Sequence, residues 1–368
     1  VAILGAVVGV ALILIVLWEG FEVVVLPRRV LGRVRLTRSF YPVVWPLWKA
    51  IAARAPRRFQ ETWLSFYGPL SLLMSLAVWA AGLIVGFALL HWAGGSAVSG
   101  GSGRRGFLTD LYLSGTNFFT LGLGDVVPRT PLGRVLTVLE AGLGFGFLGL
   151  VISYFPPLNQ SFSRREVSVS LLDARAGSPP SAGEMLRRHR DAHGIEALRA
   201  LLSEWERWAA EFLESHQSYP VLAYFRSQHE NQSWLGALTA VLDTCALVMT
   251  GLEGACKRQA ELTFAMARHA VVDLCLVFRR PPRPPARDRL PPEVLQALRD
   301  TLRAAGLSLR EDDEAERELT ALRQLYEPYV NALAMHFRIE TPPWIPGQEP
   351  TDDWQVSEWE GRPPRGRA

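Results

Sequence analysis

Apolar residues fall along this chain in three long blocks, followed by shorter groups at helical spacing. Val1 to Leu26 is apolar apart from Glu19 and Glu22, and Trp63 to Trp92 and Leu132 to Phe155 form the other two blocks. A helix of about 20 apolar residues crosses a bilayer, so each block predicts a transmembrane helix. In the second, Pro69 falls in the first predicted turn, where a missing N–H costs little. The third is expected to close at Pro156-Pro157. The alternative for the first block is a cleaved signal peptide, which carries a short apolar core behind a basic start. With no basic start in view, a retained helix is expected.

Between the last two blocks lies FLTDLYLSGTNFFTLGLGDVVP, residues 107–128. Thr109 is a suitable N-cap, and a helix of about ten residues, Asp110 to Phe119, is too short to cross a bilayer. The chain then continues through Thr120-Leu121-Gly122-Leu123-Gly124-Asp125 and leaves through Pro128. A short helix entering and an extended strand returning make a re-entrant loop, tolerated at membrane depth only against protein or a wet pathway.

Beyond Phe155 a polar connector, 157–182, leads to five predicted helices: Ala182–His216, Asn231–Met249, Gly254–Arg280, Pro292–Ala305 and Asp312–Phe337. Tyr219-Pro220, Gly251 and the proline-rich 281–292 separate them. Leu262–Phe278 is apolar enough to resemble a span, but Arg268, His269 and Asp273 favour a buried soluble helix. The tail 341–368, rich in Pro, Gly and charge, is expected to be disordered.

Composition agrees with a mixed molecule. The 368 residues are 49% hydrophobic and 20% charged, with a mean hydropathy of +0.11. That is too apolar for a disordered chain and too charged for one lying wholly in a bilayer. Residues 1–156 carry 13 basic and 6 acidic side chains, and residues 157–368 carry 26 and 30. No domain is basic enough to indicate nucleic acid. Only Lys49 and Lys257 are lysines among the 39 basic residues, a bias of GC-rich, bacterial genomes. Cys245, Cys256 and Cys275 are odd in number and lack metal-ligand spacing.

Charge also sets an expected orientation. Residues 27–62 hold Arg28, Arg29, Arg33, Arg35, Arg38, Lys49, Arg54, Arg57 and Arg58 against Glu61 alone. This is a positive-inside signal, which puts that loop and everything after Phe155 in the cytoplasm. Phe40, Tyr41, Trp45 and Trp48 suggest that part of the loop lies along the membrane surface. Outside, Gly94–Gly106 reads as a flexible loop. The expected fold is an all-α membrane protein with three transmembrane helices, a re-entrant pore helix and filter, and an α-helical cytoplasmic domain. Its parts are an N-terminal helix (1–26), a basic linker (27–62), a membrane domain (63–156), the helical domain (157–340) and the tail.

The strand 120–125 has a physical use. To strip water from an alkali cation, a pore needs stacked rings of inward-pointing oxygen dipoles. Keeping successive carbonyls on one side demands alternating backbone handedness, which costs glycine little. Gly122 and Gly124 meet that demand, the Thr120 hydroxyl adds an oxygen, and Asp125 attracts cations at the mouth. The negative C-terminal end of the short helix is expected to face the same path.

On these residues the segment 63–156 resembles the pore module of the potassium-channel family. That family's filter reads Thr-Val-Gly-Tyr/Phe-Gly-Asp, and Thr120, Gly122, Gly124 and Asp125 match it in place. Leu121 departs mildly and Leu123 more seriously, since the family's aromatic there braces the filter; Tyr112, Phe118 and Phe119 are candidates to compensate. The resemblance implies a homotetramer in a bacterial plasma membrane, conducting potassium through carbonyls of Thr120, Leu121, Gly122, Leu123 and Gly124. It also implies a hinge at Gly144, twenty residues after Gly124, although close helix packing is the plainer use of Gly142, Gly144, Gly146 and Gly149. Leu123 leaves open a weakly selective cation channel. A membrane-anchored receptor or scaffold with a non-conducting loop is the alternative of another class.

Other chemistry is sparse. Gly144 to Gly149 satisfies G-x-G-x-x-G, but no strand precedes it. His189 and His193, four apart, read as a solvated helix face rather than a metal site, and Glu211, Glu214 and His216 read as surface. No nucleophile triad, phosphate loop or carboxylate pair stands out, so neither enzymatic activity nor a cofactor beyond permeant potassium is expected. The partners expected are the chain's own copies, the bilayer and permeant cations, with no nucleic acid.

Overall fold

A computed structural model describes residues 1–25, 36–96, 98–99, 106–227 and 231–346. The chain is an all-α membrane protein by its build, apart from one two-stranded ladder. It divides into two compact units, Val1–Gln160 and Ser161–Ala368.

The first unit begins with α1 (Ala2–Gly20), which runs on as a π-turn, Phe21–Val25. It continues with α2 (Leu36–Ala52) and α3 (Arg57–Ala93). Strand β1 (Val98–Ser99), α4 (Phe107–Phe118) and β2 (Val127–Pro128) follow, and then α5 (Pro131–Ala176). Helix α1 lies on α3 through a reciprocal glycine crossing that the apolar pattern alone did not reveal. Gly9 on α1 faces Gly86 on α3, while Gly5 lies against Trp92 and Gly82 against Val16. A Cβ on Gly9 would meet the Gly86 carbonyl at 2.7 Å, and one on Gly86 would meet Ile13 at 2.6 Å. Such small-residue faces let membrane helices pack backbone to backbone. One turn further, Trp79 Nε1 donates to the buried Glu19 Oε2 at 3.1 Å, which accounts for a carboxylate in an apolar helix.

Several sequence expectations shift. The start of α3 lies at Arg57, behind Pro56, so Pro69 sits inside the helix rather than in its first turn; membrane helices tolerate this where neighbours re-satisfy the freed backbone. Helix α4 begins at Phe107 with Gly106 at its N-cap, placing Thr109 within the helix. Pro156-Pro157 do not end α5, and the predicted connector is helical to Ala176. The reason is amphipathicity: Arg165, Val169, Leu172 and Ala176 are buried at helical spacing, and that packing outweighs the lost proline bonds. In the loop between α3 and α4, Val98 and Ser99 pair antiparallel with Pro128 and Val127, so this stretch is tied rather than free; residues 97 and 100–105 lie outside the described residues. In the basic linker, Val43, Leu47 and Ile51 form an exposed stripe on α2, while Trp45 packs on Tyr67 with ring centroids 4.5 Å apart. Arg28, Arg29, Arg33 and Arg35 lie outside the described residues, as do the side chains of Arg38, Arg57 and Arg58.

The second unit packs α6 (Ala182–Arg188), α7 (Ala192–Ser218), α8 (Trp234–Gly251), α9 (Ala255–Val277), α10 (Pro292–Ala304) and α11 (Asp313–Phe337). The single helix expected over 182–216 is two, because Asp191 caps a new start by accepting from Gly194 N. Among the described residues four helices are long and apolar enough to cross a membrane: α1, α3, α5 and, unexpectedly, α8. Helix α8 is 94% buried inside its own unit, whereas only 11% of the apolar window of α5 is covered. Its apolar character serves a protein core. Asp243 in the middle of α8 is held by Arg289 (2.7 and 3.2 Å) and by Tyr326 Oη (2.5 Å). The first residues of the expected disordered tail are docked: Trp344 is buried, its carbonyl accepts from Gly183 N, and Arg289 and Arg323 lie 5.6 Å from its ring. Residues 347–368 lie outside the described residues.

Candidate functional site

Helix α4 spans about 18 Å at 1.5 Å per residue, roughly half a bilayer's hydrocarbon core. Its end is built as a Schellman-type cap. Leu121 N donates to Thr116 O (2.8 Å) and Thr120 N to Asn117 O (2.9 Å), which puts Thr120 at the left-handed position glycine usually takes. Its φ is +55°. Gly122 (φ +56°) and Gly124 (φ +75°) repeat that handedness at alternate positions. A Cβ on either glycine would meet nothing within 4 Å, so the demand for glycine there is conformational and not steric.

The strand after the helix is anchored at its far end. Tyr112 Oη donates to Asp125 Oδ2 at 2.9 Å, and Val126 is buried against Leu113. β2, Val126 and the Tyr112–Asp125 bond tie the return path, and Leu121, Gly122, Leu123 and Gly124 are exposed within a single chain. Leu123 is 62% exposed and makes no brace for the strand. The two phenylalanines divide: Phe118 is buried with Phe147 at 5.6 Å and with Trp79, Leu83 and Phe87, while Phe119 is 60% exposed and does not pack behind the strand as expected.

Gly144 is where α5 meets the end of α4. A Cβ there would lie 1.9 Å from Phe118 O. This close approach accounts for the glycine without a hinge, whereas Gly142, Gly146 and Gly149 have open space. One turn earlier on α5, the buried Glu140 bonds the Ser114 hydroxyl on α4. Sequence reasoning passed over Glu140; a lone carboxylate inside an apolar span was the available signal.

Among the described residues the second unit holds no comparable site. Its three cysteines are free and buried, and among the described residues no cluster of three His, Cys, Asp or Glu could hold a metal. His189 and His193 fall on different elements, and His189 is buried with Nδ1 at 2.7 Å from Met185 O. Glu211 and Glu214 are exposed as expected, but His216 is buried. Its Nε2 faces Arg165 Nη1 at 3.4 Å, and Arg165 also donates to Leu222 O and Phe225 O at 2.8 Å each. Burial, and then the Arg165 charge, hold His216 well below the usual imidazole range.

No solved structure matches the chain. An uncharacterized membrane protein of Bacillus subtilis (strain 168), YdjJ, is 22% identical over 231 residues, covering 58% of this chain. The chain spans 66% of that protein's length. Residues 73–156, from within α3 through the strand to the middle of α5, match the family model described as Ion channel.

Proposed function

We propose that the chain is one subunit of a homotetrameric cation channel that conducts potassium across a bacterial plasma membrane. In this reading α1, α3 and α5 cross the bilayer, α4 enters it halfway, and residues 63–156 form the pore domain. Thr120, Leu121, Gly122, Leu123 and Gly124 present oxygens to the ion, and Asp125 stands at the outer mouth. One subunit supplies one carbonyl to each ring, so closed fourfold symmetry completes the site. The second unit is cytoplasmic and regulates conduction without enzymatic activity, and no cofactor is needed beyond the permeant ion.

The observation that carries this reading is the repeated left-handed backbone at 120, 122 and 124, directly after a half-length helix. The ion-channel match over the same residues supports it. Potassium flux into liposomes holding the purified chain, with the oligomer's mass measured in detergent, tests it. A monomer or dimer, or liposomes that pass no cation, would refute the channel.

A second reading, a weakly selective cation channel, is favoured by one observation. Leu123 stands exposed where an aromatic would brace the strand, and a looser ring discriminates less if cavity size governs selectivity.

A further inference from the structure

Glu140 is fully buried on α5, among residues otherwise apolar or small. Its Oε1 bonds the Ser114 hydroxyl of α4, and the Ile84 carbonyl of α3 lies 2.7 Å from the same hydroxyl oxygen. Glu140 Oε2 lies 3.9 Å from His91 Nε2 at the end of α3, and neither atom has a hydrogen-bond partner. Three helices therefore meet at one carboxyl group. Such a group is costly away from water and persists where it is used.

The contact belongs to a longer seam. Thr137, Glu140, Gly144 and Phe147 share one face of α5 at spacings of three and four. They meet Asn117 (3.4 Å to Thr137 Oγ1), Ser114, the Phe118 backbone and the Phe118 ring in turn. Asn117 and Phe118 close α4, and Thr120 follows directly. Any slip of α4 along this seam displaces the first oxygen of the strand. The ring contact of Phe147 with Phe118 tolerates a small slide; the Glu140–Ser114 bond, being directional, does not.

We propose that Glu140 is a positioning residue that locks the register of α4 against α3 and α5 and so sets the ion selectivity of residues 120–124. This rests on the channel reading above. Ser114 has one hydroxyl proton for two acceptors. A neutral side chain that both donates and accepts, such as glutamine, therefore satisfies the junction as well as a carboxylate does.

The test is the reversal potential under mixed potassium and sodium gradients in liposomes, for wild type, Glu140→Gln, Glu140→Ala and Ser114→Ala, each checked for wild-type elution in detergent. Glu140→Gln should keep the wild-type permeability ratio. Glu140→Ala and Ser114→Ala should conduct with a severalfold lower ratio. If Glu140→Ala fails to assemble, Ser114→Ala decides, since it removes one oxygen and leaves Glu140 and His91 in place. Unchanged selectivity in the alanine variants overturns the proposal while leaving the channel intact. Lost selectivity in a well-assembled Glu140→Gln overturns it too, by showing that charge and not the hydrogen bond matters. A wild type that conducts without preference among alkali cations leaves nothing for Glu140 to set and overturns it as well. A wild type that passes no cation removes the channel reading itself.

Discussion

The backbone carbonyl of Phe118 lies 1.9 Å from the point where a Cβ on Gly144 would sit. The last turn of α4 and the middle of α5 therefore touch backbone to backbone. A bend of α5 at Gly144 would drive directly into the residue that precedes Phe119 and Thr120. The contact seats this part of α5 against the end of α4.

Gly144→Ala should accordingly destabilise the protein by about 1–3 kcal/mol, the usual cost of overpacking. Gly142→Ala and Gly146→Ala, which have open space, serve as controls. Thermal unfolding in detergent measures it. Equal melting of all three variants would show that α4 shifts at no cost.

At Gly122 the constraint is handedness. With φ at +56°, a β-branched side chain costs roughly 1–2 kcal/mol or more per residue in backbone strain. Gly122→Val should insert and assemble normally yet pass no cation. Flux at the wild-type level in that variant would remove the strand from the ion path.

Leu123 stands exposed beside the two glycines, where the proposed filter has no aromatic brace. The wild type should conduct potassium while passing measurable sodium, and Leu123→Tyr should raise discrimination if the ring finds a packing site. Reversal potentials in mixed gradients report this. A strongly selective wild type that gains nothing from tyrosine would show that Tyr112 and Val126, which hold the strand's far end, suffice.

His216 predicts a pH dependence of the second unit. Its imidazole is held well below 6.5 in the folded chain, first by burial and then by Arg165. The unfolded state therefore binds the extra proton first. Stability should be complete above about pH 6.5 and fall as pH drops below it. The melting temperature of the second transition at pH 5 and pH 7.5 checks this, in a window above the range where ordinary carboxylates titrate. His216→Gln should flatten the difference; an unchanged slope would assign it to another group.

Asp243 anchors the core of the same unit. Removing one partner from a buried ion pair typically costs about 3–5 kcal/mol, so Asp243→Ala should unfold this unit at markedly lower denaturant. Arg289 keeps Glu327 at 3.1 Å but loses its bidentate partner. A variant as stable as wild type would mean that Glu327 and the Pro342 carbonyl satisfy Arg289 alone.

The apolar blocks, the half-length helix and the alternating glycines were legible because each is a local property. Hydrophobic run length fixes which segments can cross a bilayer, and glycine spacing fixes where left-handed backbone is cheap. Most helices of the second unit were legible for the same reason, through periodicity, while the caps at Ser233 and Asp312 emerged only with the structure. Residue contacts across the fold were not. Nothing local tells that Gly9 faces Gly86, that α8 is apolar for a core and not for lipid, or that Glu140 finds Ser114. Nor could a local rule foresee that α5 continues through two prolines, because the energy that carries it onward comes from residues packed later in the chain. Propensity and hydropathy act within a few residues, while packing and buried hydrogen bonds pair groups tens of residues apart, and only the folded chain decides which ones meet.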